Sequence, residues 1–452
     1  MRNRHLAAIP LAALLLTACA SAVPAQPADA TTSPDAAASS PAQPDAAASS
    51  PSQPATETSA PPLTPKFPVG HLLTLPQNQN SGPVWNTGDA LYELRDASNM
   101  TPEALVLKTD YAALTQSVYC DIPGCTHDSD ACPAYLASDF CVGVMAVDGT
   151  VYTYPGELPN VAPTQIYRID SAAGKTPVAA VPDALPHHMQ LQWCDEYALY
   201  GCPLAASHQP GTLYRWDWQN DTVQTIPMLA DEKIIACEGS RFLTIRIEAN
   251  EPFPNFGSTE QEKAILAHAV YVYAWLDPAT GAREKICTRP YADGYFHNYY
   301  DGRIYYTGNF RNADTPGQQA ALLYFDTADG TEKTLLETIP FDTYGIDVCE
   351  PFSPAFAGVP QRYLRVLNVG DAYADCLLDM ETGDVLPAPA VTAEGVRRPA
   401  LLLACTASGQ WLTTANPRDS YDPQYSLYAL WDPADFLADG QPAAWVTMYA
   451  TE

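Results

Sequence analysis

The sequence predicts an all-β fold, a ring of four-stranded blades, on three observations. One strand phrase recurs along the chain at a near-constant period, a second hairpin precedes most recurrences, and no low-complexity linker breaks the recurring region. The phrase is an apolar–polar alternation that ends in aspartate. It reads Leu105-Val-Leu-Lys-Thr-Asp110, Ile166-Tyr-Arg-Ile-Asp170, Leu213-Tyr-Arg-Trp-Asp217 and Val272-Tyr-Ala-Trp-Leu-Asp277, then Leu323-Tyr-Phe-Asp326, Cys376-Leu-Leu-Asp379 and Leu427-Tyr-Ala-Leu-Trp-Asp432. Successive aspartates lie 60, 47, 60, 49, 53 and 53 residues apart.

Period-two alternation marks a strand with two differently solvated faces. The residues after several aspartates, as in Asp277-Pro-Ala-Thr-Gly281 and Asp326-Thr-Ala-Asp-Gly330, are those that tolerate positive φ in a tight turn. The upstream hairpins read Met145-Ala-Val-Asp-Gly-Thr-Val-Tyr152, Tyr299-Tyr-Asp-Gly-Arg-Ile-Tyr-Tyr306 and Ala404-Cys-Thr-Ala-Ser-Gly-Gln-Trp411. Two hairpins per unit make four strands, and a period near 50 with four strands is the pattern of a propeller blade. Such units cannot cover both faces alone, so they stack radially. Seven units are counted; the first is the least regular, which leaves six or eight blades open.

The chain before this region has another composition. Arg2, Arg4 and His5 precede an apolar run from Leu6 to Leu16, and Leu16-Thr-Ala-Cys19 follows. The run is too short for a membrane span, which takes about 20 residues. Its order, positive then apolar then small, is that of a secretory signal over 1–18. Residues 19–66 are Ala, Pro, Ser, Thr, Asp and Gln, with Pro-Asp-Ala-Ala-Ala-Ser-Ser-Pro at both 34–41 and 44–51. So little apolar surface predicts a disordered tether, stiffened by proline. The folded domain is expected over 67–452.

The balance of 23 basic and 52 acidic residues gives a net charge of −29. No basic stripe interrupts it, which argues against nucleic acid as a partner. No phosphate loop, nucleophile elbow, zinc-protease motif or calcium loop is present, so no catalytic residue is assigned. The cluster Tyr295-Phe-His-Asn-Tyr-Tyr300 and the pair Tyr305-Tyr306 read first as strand aromatics packed between blades, second as a glycan- or peptide-facing surface.

One local constellation carries chemistry: Cys120-Asp-Ile-Pro-Gly-Cys125-Thr-His127-Asp-Ser-Asp-Ala-Cys132. Three thiols and an imidazole form a complete Cys₃His tetrahedral set, and zinc in a closed structural site is the expected metal. Disulfides compete, because export favours oxidised thiols. Removing Cys19 from twelve cysteines leaves 11, and removing three metal ligands leaves 8. Cys194, Cys237 and Cys405 precede hairpin turns and read as small buried residues.

Cys19 at the end of Leu-Thr-Ala resembles the lipobox of bacterial lipoproteins, which implies lipidation of Cys19 and cleavage before it. The whole chain resembles a group of bacterial lipoproteins with a TolB-like propeller and a C-x4-C-x-H-x4-C phrase early in the domain. Residues 120–132 match the phrase and 67–452 match the propeller. That group supplies no biochemical activity to carry over. The expectation is a monomeric lipoprotein held at the cell membrane through Cys19 and facing the extracytoplasmic side, whose propeller binds a protein or glycan. An extracellular polymer hydrolase or lyase with its site in the funnel, and a metal- or redox-responsive sensor, are the alternatives.

Overall fold

The computed structural model describes residues 65–75, 84–96, 103–137, 142–155, 165–187, 189–203, 208–251, 259–291, 294–308, 321–337, 350–351, 362–366, 376–387, 390–393, 396–415, 427–438 and 440–449. Cys19, the signal segment and nearly all of the tether lie outside them.

The chain is a β-propeller of four-stranded antiparallel blades. Within each blade the strands pair in chain order. The first is Val84–Asn86, Ala90–Asp96, Ala104–Asp110 and Thr115–Val118. Sheets of the same plan span 142–180, 189–230, 233–290, 294–336, 350–387 and 401–445. First strands meet near the centre, Val84–Asn86 against Val142–Val147 and Gly294–Tyr300 against Glu350–Pro351.

Six of the seven recurring aspartates share one physical role, accepting from a backbone amide two or three residues on. Each of the seven directly follows or ends the third strand of its sheet. Asp110 Oδ1 accepts from the amides of Ala112 and Ala113 at 3.1 and 2.9 Å, and Asp170 Oδ1 from Ala172 and Ala173 at 3.0 and 3.1 Å. Asp277, Asp326 and Asp379 accept likewise from Ala279, Ala328 and Glu381. A short carboxylate that bonds the backbone two residues on closes a tight turn that no strand partner satisfies. Asp432 departs from the rule, because it opens the helix Pro433–Leu437 and makes no side-chain cap. Two of the turns between first and second strands use Asp-Gly, with φ of 48° and 74° at Asp148-Gly149 and 47° and 72° at Asp301-Gly302. These left-handed pairs suit a two-residue turn matched to strand twist.

Alternation sends successive side chains to opposite neighbouring blades. Tyr305 packs with Leu378 and Met380 of the following sheet, while Tyr306 packs with Leu243 and Tyr273 of the preceding one. Tyr299, Tyr305 and Tyr306 are buried, so these three are inter-blade core; Tyr300 is half-buried, and the side chains of Tyr295 and Phe296 lie outside those described. The 270–276 strand, Val-Tyr-Val-Tyr-Ala-Trp-Leu, is covered on both sides for the same reason.

Among the described residues, three elements depart from the repeat besides the helix Pro433–Leu437 and the strand Tyr135–Leu136. A helix, Thr259–Leu266, sits between the second and third strands of the 233–290 sheet. A two-stranded sheet, Ala390–Ala393 with Val396–Pro399, precedes the last blade. The strand Leu73–Thr74 adds to the inner edge of the 189–230 sheet, with Leu73 opposite Cys194 and Thr74 opposite Trp193. Its period is too short to register in a window of alternation.

Candidate metal centre

The Cys/His insert leaves the first blade at Val118 and returns to it. Tyr135–Leu136 pairs with Leu105 and Ala104, alongside the Thr115–Val118 strand on the same edge of Ala104–Asp110. Both ends of the insert are therefore pinned to one strand, and residues 119–134 must make a compact excursion. Backbone turns shape it: Cys125 N donates to Ile122 O at 3.2 Å and Cys132 N to Ser129 O at 2.9 Å. Gly124 has φ 73° with open space around the missing Cβ, so the glycine serves backbone conformation and not close approach. His127 has φ 60°, an uncommon conformation for a residue with a Cβ and one that marks local constraint.

This excursion brings Cys120, Cys125, His127 and Cys132 together, with their ligand atoms all within 4.8 Å of one another. His127 Nδ1 lies 3.3 Å from Cys132 Sγ. Zinc bonds of about 2.3 Å to sulfur and 2.0–2.1 Å to nitrogen set tetrahedral ligand edges near 3.6–3.8 Å. The four donors come to such a centre with adjustments of up to about an ångström, and the Cys₃His cluster could hold a metal ion. Cys132 is fully buried beneath half-buried Cys120 and Cys125. Burial pushes the Cys132 thiol up to about 12 and also raises Cys120. The backbone amide of His127 pulls the Cys125 thiol down. Without a cation, two of the three thiols resist ionising; a divalent cation reverses that by stabilising thiolate directly.

The insert also touches the second blade. Asp121 N donates to Ser171 O at 2.7 Å, and Ser171 Oγ to Asp121 Oδ2 at 2.5 Å. Lys175 Nζ reaches Asp130 Oδ1 at 2.7 Å and Tyr135 O at 2.6 Å. The centre thus lies in a clamp between the outer edges of the first two sheets.

Among the described residues the other cysteines are free thiols without a metal cluster. Cys194 is buried and Cys237 and Cys405 are half-buried, and burial pushes Cys237 up to about 11 and Cys405 up to about 12. These fit the reading as small core residues. Cys141, a nearby thiol in sequence that could pair with one of these three if they formed disulfides, lies outside the described residues. Spacing alone could not show that Asp121 and Asp130 bind the next blade, because Ser171 and Lys175 lie about fifty residues away in the sequence.

Comparison of the sequence finds no family model that matches this chain and no curated protein similar to it. The solved structures it is similar to are distant. A puromycin hydrolase S511A mutant complexed with PGG is 12% identical with TM-score 0.41, over 80% of this chain and 53% of that one. The β-propeller domain of the Trilobed protease from Pyrococcus furiosus is 8% identical with TM-score 0.40, over 81% and 95%. A D477G ACO/RPE65 chimera is 13% identical with TM-score 0.35, over 85% and 90%. The chain spans about half the length of the puromycin hydrolase. No activity transfers from likenesses this remote; the fold rests on the strand pairing above.

Proposed function

We propose that this chain is a lipid-anchored, extracytoplasmic β-propeller that binds a protein or glycan ligand, with a structural zinc ion held by Cys120, Cys125, His127 and Cys132. The convergence of four zinc-type donors within 4.8 Å carries the metal part of this reading. Four protein ligands leave no open position for water or substrate, so the ion supports folding and not hydrolysis. The binding role is supported by the inner edge of the 189–230 sheet, which residues 73–74 cover. That strand occupies the channel wall where a polymer-cleaving site in the funnel would need room.

Membrane display through Cys19 rests on the Leu16-Thr-Ala-Cys19 order and the proline-rich stretch after it. The ring count belongs to the same reading. The sheets of four or more strands at 84–118, 142–180, 189–230, 233–290, 294–336, 350–387 and 401–445 support a count of seven blades.

The test is elemental analysis with thiol counting on full-length protein purified under air. About one zinc per chain, lost in both Cys125→Ser and His127→Ala, is the expected result for a four-ligand site. Quantified disulfides among Cys120, Cys125 and Cys132 with no bound metal would overturn the zinc reading. Mass spectrometry of the mature N-terminus tests the anchor separately: a diacylglyceryl thioether on Cys19 supports it, and an unmodified start elsewhere removes it.

A further inference from the structure

Residues 66–75 run as an arm past the third-to-fourth turn of the 233–290 sheet and the first-to-second turns of both the 233–290 and 189–230 sheets, then pair with the first strand of the latter. The arm is held largely through its main chain. Lys66 N donates to Ala279 O at 2.9 Å, Leu72 N to Gly239 O at 2.7 Å and Leu75 N to Gln192 O at 2.7 Å. Gly70 N reaches Asp195 Oδ2 at 3.1 Å, and His71 N reaches Glu196 Oε2 at 2.8 Å. Arg215, fully buried, donates from Nη2 to Pro68 O at 3.2 Å while its guanidinium lies 4.6 Å from the Phe67 ring centroid. Tyr200 OH joins the system, donating to Asp195 Oδ2 at 2.7 Å and accepting from Arg215 Nε at 3.2 Å.

The side chains are read as well. Phe67, Val69 and Leu72 enter an apolar cluster with Trp193, Tyr200 and Phe242. A Cβ at Gly70 would run into the Glu196 carboxylate that holds His71. The 189–230 sheet already has four consecutive strands without the arm. Leu73–Thr74 is therefore an added strand on a completed sheet, the arrangement by which domains capture extended peptides.

We propose that this groove is a peptide-binding site, filled here in cis by the chain's own arm, and that its ligand in trans is the arm of a second copy. The recognised pattern is Phe-Pro-Val-Gly-x-Leu: backbone bonds supply affinity, apolar pockets select three positions, and the Glu196 carboxylate, in the place a Cβ would take, selects glycine. Buried Arg215 and Asp195 are otherwise bonded within the sheet, to Gln224, Tyr200 and the Tyr197 and Ala198 amides, and each keeps one hydrogen bond for the arm that a vacated groove would leave unmade. The groove therefore favours being occupied.

A protease site inserted in residues 76–83 of the full chain tests this, with a fluorescent peptide of residues 64–76 standing in for the second copy's arm. After cleavage, the arm should co-elute with the body, and the peptide should exchange into it saturably. A Gly70→Ala peptide should bind at least about tenfold more weakly, the loss of roughly 1.4 kcal/mol expected for one hydrogen bond to a charged acceptor. In uncut protein, Gly70→Asp sets a third carboxylate against Asp195 and Glu196, so that variant should bind the peptide while the wild-type chain does not. Three outcomes each overturn the proposal: the cleaved body unfolds, which makes the arm an obligate strand; a scrambled peptide binds equally; or neither the cleaved body nor the Gly70→Asp chain binds the peptide.

Discussion

At Gly124 the backbone, not the space around it, decides the residue. Its φ of 73° lies in the left-handed region, and an added Cβ would meet nothing within 4 Å. Gly124→Ala should therefore cost about 1 kcal/mol through backbone strain alone. In competition with a chromophoric chelator, zinc affinity should fall about fivefold, with the four ligands still present. Asp110 is the parallel case among the turn carboxylates. The Ala113 amide first, then the Lys108 ammonium, holds its carboxyl below the usual aspartate range. A depressed folded-state value adds stability at pH above the unfolded value, near about 4, and that stability is lost as pH falls through the lower folded value. The melting temperature should decline from about pH 4 downward, and Asp110→Asn should flatten the decline by removing the titrating group.

At the scale of the element, the insert couples two blades. Its four candidate ligands lie among and just outside the contacts Asp121–Ser171 and Asp130–Lys175, so an ion held there would form one mechanical unit with the first seam. Chelation should raise amide exchange first in 119–136 and in the 165–180 hairpin. Exchange in the 294–336 sheet should stay unchanged, because local openings follow cooperative units and not the whole fold. Equal loosening throughout would show that the centre holds the entire ring. Lys175→Met should loosen the same hairpin with zinc still bound, since it removes the bond to Asp130 and the bond to Tyr135 O but no ligand.

At the scale of the molecule, the last sheet meets the first through a buried polar seam. Tyr428 OH donates to Glu93 Oε2 at 2.6 Å, and Arg95 and Gln116 both donate to Glu93 Oε1 at 3.0 Å. Beyond the last strand, Thr447 lies parallel to Thr115, with Thr447 N donating to Leu114 O and Gln116 N to Thr447 O. Among the described residues the first and last sheets share no strand, so this seam and the 446–449 segment close the ring. Tyr428→Phe leaves one oxygen of a buried carboxylate without its donor, at a cost of about 1–3 kcal/mol. A matching fall in urea midpoint, with an unchanged slope, is expected. Truncation after residue 445 should destabilise more, since it also removes the strand-like bonds to Leu114 and Gln116.

What the sequence by itself determined is whatever depends on residues close in the chain. The alternation, the Asp-Gly turns, the aspartates that close the third-to-fourth turns and the four donors of 120–132 are all contained within windows of about a dozen residues. Their chemistry is local, so their spacing is enough. Tertiary structure alone decided the rest: the arm on the inner edge of the 189–230 sheet, the clamp from Asp121 and Asp130 to the second blade, the closing pair Glu93 and Tyr428, and the burial of Tyr305 and Tyr306. The partners in the first three cases lie from 45 to 335 residues apart. Nothing local marks Asp195 for Gly70 or Tyr428 for Glu93. Those pairings exist because radial stacking brings one blade's edge against another's, and the energy of burying both faces of every sheet is settled only when the ring is assembled.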